Sequence, residues 1–368
     1  MKKNSIGKQS PKQSQKVCVE PITIGMDLGD KGSCYCVLDG RGEVKKEATV
    51  ATTKKGMNQR FGAMRRCRIA IEVGAHSPWV SRMLAQMGHE VIVANARQVK
   101  LISASSRKDD RLDAQTLARL ARVDPQLLRP IQHRSEQAQW DLMTIRVRAE
   151  LVEVRTALVN SARGLAKAIG ERLPTCGTDQ LSMERLEDLP EGIRETLRPL
   201  IEQVEALTKS IHECDGKIEQ IARERYPENK LLQQVFGVGT LIALTFILTV
   251  DDPQRFQKSR DVGCYLGLRP KRSDSGKRQP ELRITKEGDS YLRTMLVQGA
   301  HVILGPKGPD TDLRRWGLKL AARGGKNAKK RAIVAVARKL GILLHRLWVT
   351  AEVYEPLRQA RSAQPVAA

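Results

Sequence analysis

Hydrophobic and polar positions follow three different rhythms along this chain of 368 residues. Between Pro21 and Ala94 the apolar residues fall in short runs: Ile22 to Leu28, Ser33 to Leu38, Val44 to Ala51, Arg68 to Val73 and Val91 to Ala94. Runs of this length and composition predict β-strands, and Asp39, Gly40 and Gly42 supply a turn between the second and third. Between the fourth and fifth, Val80, Met83, Leu84 and Met87 stand at helical spacing within Ser77 to Gly88. Strand, helix, strand predicts a parallel crossover. Asp109 to Val123 is helical in pattern as well.

From about Trp140 the rhythm becomes a heptad. Val147, Leu151, Val154, Leu158 and Leu165 keep heptad steps, with Ser161 at the weak position. Leu197, Leu200, Val204, Leu207, Ile211, Cys214, Ile218 and Ile221 then alternate steps of three and four, separated mostly by Glu, Lys, Gln and Arg. Together they predict a long helical hairpin or coiled coil. A packed α-hairpin and a dimerisation arm both fit the pattern. From about Tyr226 a helix-rich third region follows, including an apolar helix through Ile333, Val336, Leu340, Leu344 and Leu347.

Three meander strands followed by β-α-β is the strand order of a ribonuclease-H-like sheet, so the expected class is α/β plus α. The expected organisation is a disordered basic tail over 1–20, an α/β domain over 21–130, a helical coiled-coil region over 131–226 and a helical C-terminal domain over 227–368. The tail carries five lysines among Ser, Gln and Pro with no acid before Glu20, and such a composition cannot pack a core.

Charge narrows the choice of partner. Sixty-four Lys and Arg against 41 Asp and Glu leave a net charge of +23, which points to polyanions. Between Arg255 and Arg331 there are 20 basic residues and 7 acids, so this segment supplies more than half of the excess. Its densest part is Arg323-Gly-Gly-Lys-Asn-Ala-Lys-Lys-Arg331, from which Arg323, Lys326, Lys329, Lys330 and Arg331 are candidate nucleic-acid contacts. A solvated charged face is the plain alternative. Aromatic residues make up only 4%, so stacking on bases is not the expected mode of binding. The longest uncharged apolar stretch, Thr240 to Val250, is far shorter than the ~20 residues of a spanning helix, and the N-terminus lacks an apolar signal region. Seven scattered cysteines with no C-x-x-C spacing fit a reducing cytoplasm and no zinc site. The six histidines show no metal or triad spacing and are read as structural.

Four carboxylates stand out. Asp27 lies in the first strand within Ile24-Gly-Met-Asp-Leu-Gly29, and Glu72 ends the fourth within Ile69-Ala-Ile-Glu-Val-Gly74. An acid inside an apolar strand is costly unless it is paired or binds metal, and here two strands each carry one. Asp110 and Asp113 are three apart at a helix start and share a face. They could equally be an N-cap and a first-turn acid. If the helix packs beside both strands, four oxygen-bearing side chains converge, a set suited to two Mg²⁺ ions in phosphodiester chemistry. Further on, Arg269-Pro-Lys-Arg-Ser-Asp-Ser-Gly276 places Ser273 and Ser275 in a basic turn, followed by Lys277 and Arg278. The segment reads as a plain turn or as a nucleophilic serine flanked by Arg269, Lys271 and Arg272. Val235-Phe-Gly-Val-Gly239 looks like a helix-hairpin-helix turn or a simple glycine connection.

These residues resemble a known family, the DEDD-type transposases of bacterial insertion sequences (the IS-one-ten and IS-eleven-eleven groups). An Asp in the first strand, a Glu in an I-x-I-E run and a K-x-D-x-x-D-A element match Asp27, Glu72 and Lys108-Asp-Asp-Arg-Leu-Asp-Ala114. A glycine turn, then G-L-x-P-x-x-x-x-S-G and K-x-G, match Gly237-Val-Gly239, Gly267 to Gly276 and Lys286-Glu-Gly288. The chain departs from the pattern at Phe236, where the family often has Pro, and at Asp109, a third acid beside the pair. The resemblance implies a RuvC-like N-terminal domain whose Asp27, Glu72, Asp110 and Asp113 bind Mg²⁺, and a C-terminal domain with Ser275 as nucleophile. It implies a composite site between protomers, a dimer or synaptic tetramer held by the coiled coil, and donor and target DNA chosen by a noncoding bridge RNA. It also implies a bacterial cytoplasmic, nucleoid-associated protein. Three rivals remain at this level: a junction-cutting nuclease of the same fold using water, a non-catalytic nucleic-acid-binding protein, and, least favoured because this sequence shows no second phosphate-binding glycine loop, an actin-like ATPase.

Overall fold

The computed structural model describes residues 22–95, 109–273, 275, 280 and 282–358. The basic tail expected over 1–20 lies outside them, as do Lys108, Lys277 and Arg278. The chain divides into two compact units, Met1–His133 and Arg134–Ala368.

The first unit is built on five strands: β1 (Thr23–Asp27), β2 (Gly32–Leu38), β3 (Val44–Ala51), β4 (Arg68–Glu72) and β5 (Glu90–Ala94). They lie in the order β3-β2-β1-β4-β5, antiparallel from β1 through β3 and parallel from β1 through β5. Alternation along β1 and β4 sorts their residues onto two faces. Ile24, Met26, Ile69 and Ile71 point to one face, where α1 (Lys54–Phe61) and α2 (Ser77–Gln86) bury Met57, Phe61, Val80 and Leu84. The other face, carrying Gly25 and Ala70, is covered by α3 (Asp110–Val123) through Ala114, Leu117, Ala118 and Ala121. Each expected strand is present within about a residue of its reading. Helix α1 was not foreseen. Its signals are slight: Thr53 caps it by accepting from the Gly56 amide at 3.0 Å, and only Met57 and Phe61, one turn apart, anchor it.

The second unit begins with two long helices, α4 (Glu136–Ala168) and α5 (Glu191–Arg225). Arg148 pairs with Asp215 at 2.5 Å and Arg155 donates to Thr208 at 3.2 Å, so the two run antiparallel as a hairpin. The predicted stripe on α5 forms the seam, with Leu197, Val204, Ile211 and Ile218 buried. The stripe on α4 enters the hairpin only in part, Leu158 packing against the core shared with α5. Val147, Val154 and Leu165 are 49%, 48% and 52% exposed, and the face packed on α5 instead carries Ala138, Leu142, Ile145, Val159, Ala162 and Ala166. Alanines add little to a hydrophobic pattern, yet they let two helix axes approach closely, and that decided the seam.

Helices α6 (Glu228–Leu232), α7 (Thr240–Val250), α8 (Ser259–Tyr265), α9 (Ser290–Leu304), α10 (Asp312–Ala321) and α11 (Ala328–Thr350) complete the unit. Residues Ala243–Val250 are all buried, so the most apolar stretch of the chain is the centre of this core. No helix among the described residues is long and apolar enough to cross a membrane.

Asp141, 3% exposed, joins the start of α4 to the end of α5: it pairs with Arg225 at 2.5 Å and accepts from the Tyr226 hydroxyl at 2.8 Å. Burial and this carboxylate hold the Tyr226 phenol protonated well above its usual range. Replacing Asp141 with Ala orphans the phenol and half-exposed guanidinium together, and is expected to lower the unfolding free energy by about 2–3 kcal/mol, read by urea denaturation.

Candidate active site

The parallel register of β1 with β4 pairs Gly25 with Ala70 and Met26 with Ile71, so Asp27 and Glu72 close neighbouring strands at the same end. Both are half-buried. Both fall on the face that α3 covers, since each follows a small residue two positions earlier, Gly25 and Ala70.

What brings the other two acids there is a steric fact about Gly25. A Cβ at this position would lie 2.1 Å from the Ala114 carbonyl oxygen and 2.4 Å from the Ala118 nitrogen. Helix α3 therefore lies with its backbone directly on β1, its first turn over the end that carries Asp27. Asp109 is the N-cap, with its side chain accepting from the Arg111 amide at 3.0 Å. This settles the crowding of three acids: Asp109 caps, and Asp110 and Asp113 occupy the first turn, one exposed and one half-buried.

The electrostatics confirm the neighbourhood. Burial pushes the Asp27 carboxyl above the usual carboxylate range, and the charges of Asp110 and Asp113 push it further, against a hydrogen bond from the Leu28 amide. Among the described residues, no group of three or more His, Cys, Asp or Glu is gathered tightly enough to hold a metal ion. The structure thus brings Asp27 into the field of both helix acids and sets Glu72 beside it in register.

The loop after β1 is firmly held, by Thr52 Oγ1 donating to the Gly29 carbonyl at 2.8 Å and by the Ser33–Thr52 hydroxyl pair at 2.8 Å. One group at this end was passed over in the sequence. His76 sits 3.3 Å from Asp30 through Nε2, and the Trp79 indole donates to its Nδ1 at 3.1 Å. An indole only donates, so the neutral ring carries its proton on Nε2, toward Asp30. The signal available was the position of Asp30 and His76 just beyond Asp27 and Glu72. Other histidines serve structure: His89 bonds Cys67 and the Phe61 carbonyl, and His345 bonds Ser259 and the Pro253 carbonyl.

In the second unit, the glycine motifs build a hairpin base. Pro270 bridges Ile284, and the Lys271 and Thr285 amides donate to the Arg283 and Arg269 carbonyls at 2.9 Å each. Gly267 (φ +65°) and Gly288 (φ +70°) cross so closely that a Cβ would lie 2.2 Å from the Glu287 oxygen or 2.1 Å from the Tyr265 oxygen. Arg293 of α9 fastens this base by donating to the Leu266 and Glu287 carbonyls at 3.1 and 2.7 Å. Ser275, exposed, lies between the two arms, and Arg269, Lys271 and Arg272 are exposed on the first. Arg323, Lys326, Lys329, Lys330 and Arg331 are exposed around the start of α11. At the Val235–Gly239 turn, Gly237 (φ +84°) packs on α9, where a Cβ would approach the Gly299 oxygen to 2.9 Å.

Two family models match the chain: a DEDD-type transposase family over residues 24–170, and the transposase IS116/IS110/IS902 family over residues 229–312. The chain is 28% identical over 352 residues to the transposase for insertion sequence element IS1111A of Coxiella burnetii, covering 90% of each protein. It is 29% identical over 299 residues to a probable family 20 transposase of Pseudomonas aeruginosa, covering 79% of this chain and 86% of that one. A transposase for insertion sequence element IS1328 of Yersinia enterocolitica is 28% identical over 252 residues, 65% of this chain and 71% of that one. The chain is a transposase, an enzyme that cuts and rejoins DNA. It belongs to the DEDD-type insertion-sequence transposases of the IS110 kind.

Two outcomes follow from this geometry. Gly25→Ala must push α3 off β1; a loss of about 1–3 kcal/mol in stability together with loss of DNA cutting is expected, by denaturation and a cleavage assay. A folded-state pKa raised above the unfolded value destabilises the fold as pH rises through that interval and leaves it untouched below about pH 4. Asp27→Asn should therefore melt at a higher temperature than wild type at pH 7 in the absence of divalent ions, with the two melts converging toward pH 4.

Proposed function

We propose that this transposase uses a RuvC-like first domain, residues 21–130, whose Asp27, Glu72, Asp110 and Asp113 hold two Mg²⁺ ions, together with Ser275 of a C-terminal domain over 227–368 as nucleophile. The observation that carries the reading is Asp27, raised by burial and by two facing carboxylates in a position fixed by Gly25. All four side chains offer hard oxygen donors, the chemistry Mg²⁺ prefers, and the mutual repulsion of three of them is what a cation would relieve. When bound, such ions polarise the phosphate and stabilise the leaving oxygen.

The chain's own groups supply the rest. Ser275 Oγ attacks the phosphorus of a DNA strand, its proton passing to solvent or a base, and an Oγ–P bond forms as the bond to the strand's departing sugar oxygen breaks. The hydroxyl of a second strand then attacks the same phosphorus and releases the serine. Arg269, Lys271, Arg272, Lys277 and Arg278 flank the serine and would offset charge on the phosphate. Arg323, Lys326, Lys329, Lys330 and Arg331 would hold duplex backbones, with donor and target chosen by pairing to a noncoding bridge RNA. The amides of the Val235–Gly239 turn would hold a further phosphate.

The protomers would assemble through the helical region, residues 131–226, into a dimer and a synaptic tetramer. Favouring this is the stripe that α4 does not bury in its own hairpin: Trp140, Met143, Val147, Val154 and Leu165 are 45–59% exposed at steps close to a heptad's. Such a protein would work in the bacterial cytoplasm, on the nucleoid.

The test is to incubate the protein with labelled DNA, the element's noncoding RNA and Mg²⁺, and to resolve protein–DNA adducts on a denaturing gel. Wild type is expected to form an adduct that Ser275→Ala, Asp27→Asn and removal of Mg²⁺ each abolish. Cleavage that is equal in wild type and Ser275→Ala, with no adduct in either, would overturn the serine mechanism in favour of attack by water.

A further inference from the structure

The acids stand at one end of the sheet in the first unit, and a second constellation stands at the other. Where β1, β4 and β5 begin, a cavity of about 540 Å³ is lined by Thr23, Gly40, Arg66, Arg68, Glu90 and Arg122. Three guanidinium groups face one carboxylate there. Thr23 and Asp27 are the two ends of β1, so roughly 13 Å of strand separates this cavity from the acids.

Two of the arginines are held from behind. Arg68 gives its Nε–H and one Nη2–H to Glu90 Oε1, both at 3.0 Å, and an Nη1–H to the Ala121 carbonyl at 3.1 Å. Arg122, in the last turn of α3, donates from Nη2 to the Gly40 carbonyl. Its seat depends on a glycine: Gly42, at φ +85°, leaves room for the guanidinium, whose carbon a Cβ there would approach to 3.3 Å. The turn carrying Gly40 and Gly42 is itself fixed by Asp39, whose carboxylate accepts from the Arg41 and Glu43 amides at 2.9 Å each.

Donor arithmetic shows what these contacts leave over. A guanidinium has five N–H groups. The contacts above occupy three on Arg68 and one on Arg122, while Arg66 is exposed. Glu90 neutralises one of the three charges, so the cavity keeps an excess of two positive charges and a set of planar, oriented forks. Oriented forks of this kind match phosphate bidentately. A purely structural role would need Arg68 with Glu90 and no third or second cation beside them, since like charges brought together oppose folding.

We infer that this cavity is an anchoring site for the phosphodiester backbone of a nucleic acid, at a phosphate distinct from the one that is cut. The backbone anchored here passes the end of the sheet opposite to the acids, so the site fixes the position of a nucleic acid on the first unit without entering the reaction.

The test compares wild type with Arg66→Gln and Arg66→Gln/Arg122→Gln in full-length protein. Affinity for a labelled DNA duplex and for a labelled RNA hairpin is measured by fluorescence anisotropy over a series of salt concentrations. Each phosphate contact contributes about 0.9 to the slope of log affinity against log salt for a duplex, and about 0.7 for a single strand. The single variant should flatten the slope by about one contact and the double variant by about two, for whichever nucleic acid the cavity holds. Flattening with DNA alone assigns the site to DNA, and flattening with RNA alone assigns it to RNA. Slopes unchanged for both, with the single variant folded as judged by its thermal melt, would overturn the inference. The slopes are read on uncut nucleic acid without divalent ions, so this outcome stands apart from whether Ser275 forms an adduct.

Discussion

The contact on which the first unit depends is the one between two backbones, where the absent side chain of Gly25 lets α3 lie flat on β1. Ala114 and Ala118 extend the same seam from the helix side, and Ala70 continues it on β4. Such a seam buries little apolar area per residue. Its stability comes from close packing, for which a misfit of even one methyl group is felt. In return it sets the distance between helix and sheet, and through that distance it sets where Asp110 and Asp113 meet Asp27. A larger seam residue would move the helix acids outward together, since they ride on one rigid turn.

That arrangement concentrates negative charge around Asp27. Two like charges about 4 Å apart repel by roughly 4 kcal/mol at an effective dielectric near 20. A helix N-terminus returns only about 0.3–1 kcal/mol for each acid in its first turn. Capping and dipole explain why Asp109 is tolerated, since its carboxylate is spent on an amide. They do not explain Asp27, which is half-buried and faces two other carboxylates. A cluster that folding alone disfavours is what a cation-dependent site in this family needs.

How far the sequence reveals this depends on the kind of signal. Strands β1 to β5 were legible because alternating and β-branched residues announce them, and β1 beside β4 followed from strand order. The four acids were legible because charge inside an apolar strand is conspicuous. Helix α1 was not, having two apolar anchors in eight residues. The α4 seam was legible only in part, because Val147, Val154 and Leu165 outweigh the alanines in any hydrophobic count, whereas closeness of approach favours the alanines. The capping alternative read from spacing gave the N-cap to Asp110, and one hydrogen bond gives it to Asp109 instead. The crossing of Gly267 and Gly288 was hidden for another reason: it joins residues 21 apart through backbone contact, and no side-chain pattern records it.

Helix α3 joins these observations into one polarity. Its first turn carries Asp110 and Asp113 and its last turn Arg122, the distribution that the helix dipole favours at both ends. Because the helix is antiparallel to β1, the same distribution becomes an axis of the whole sheet, acids at one end and arginines at the other. On the proposed reading, a nucleic acid meeting the first unit would be repelled by the acid end until cations occupy it, and attracted by the arginine end. Binding and cutting would then have different electrostatic requirements on one element. On the proposed reading, the first unit's share of the dependence of affinity on monovalent salt would belong to the arginine end, and the dependence of cutting on divalent ions to the acid end.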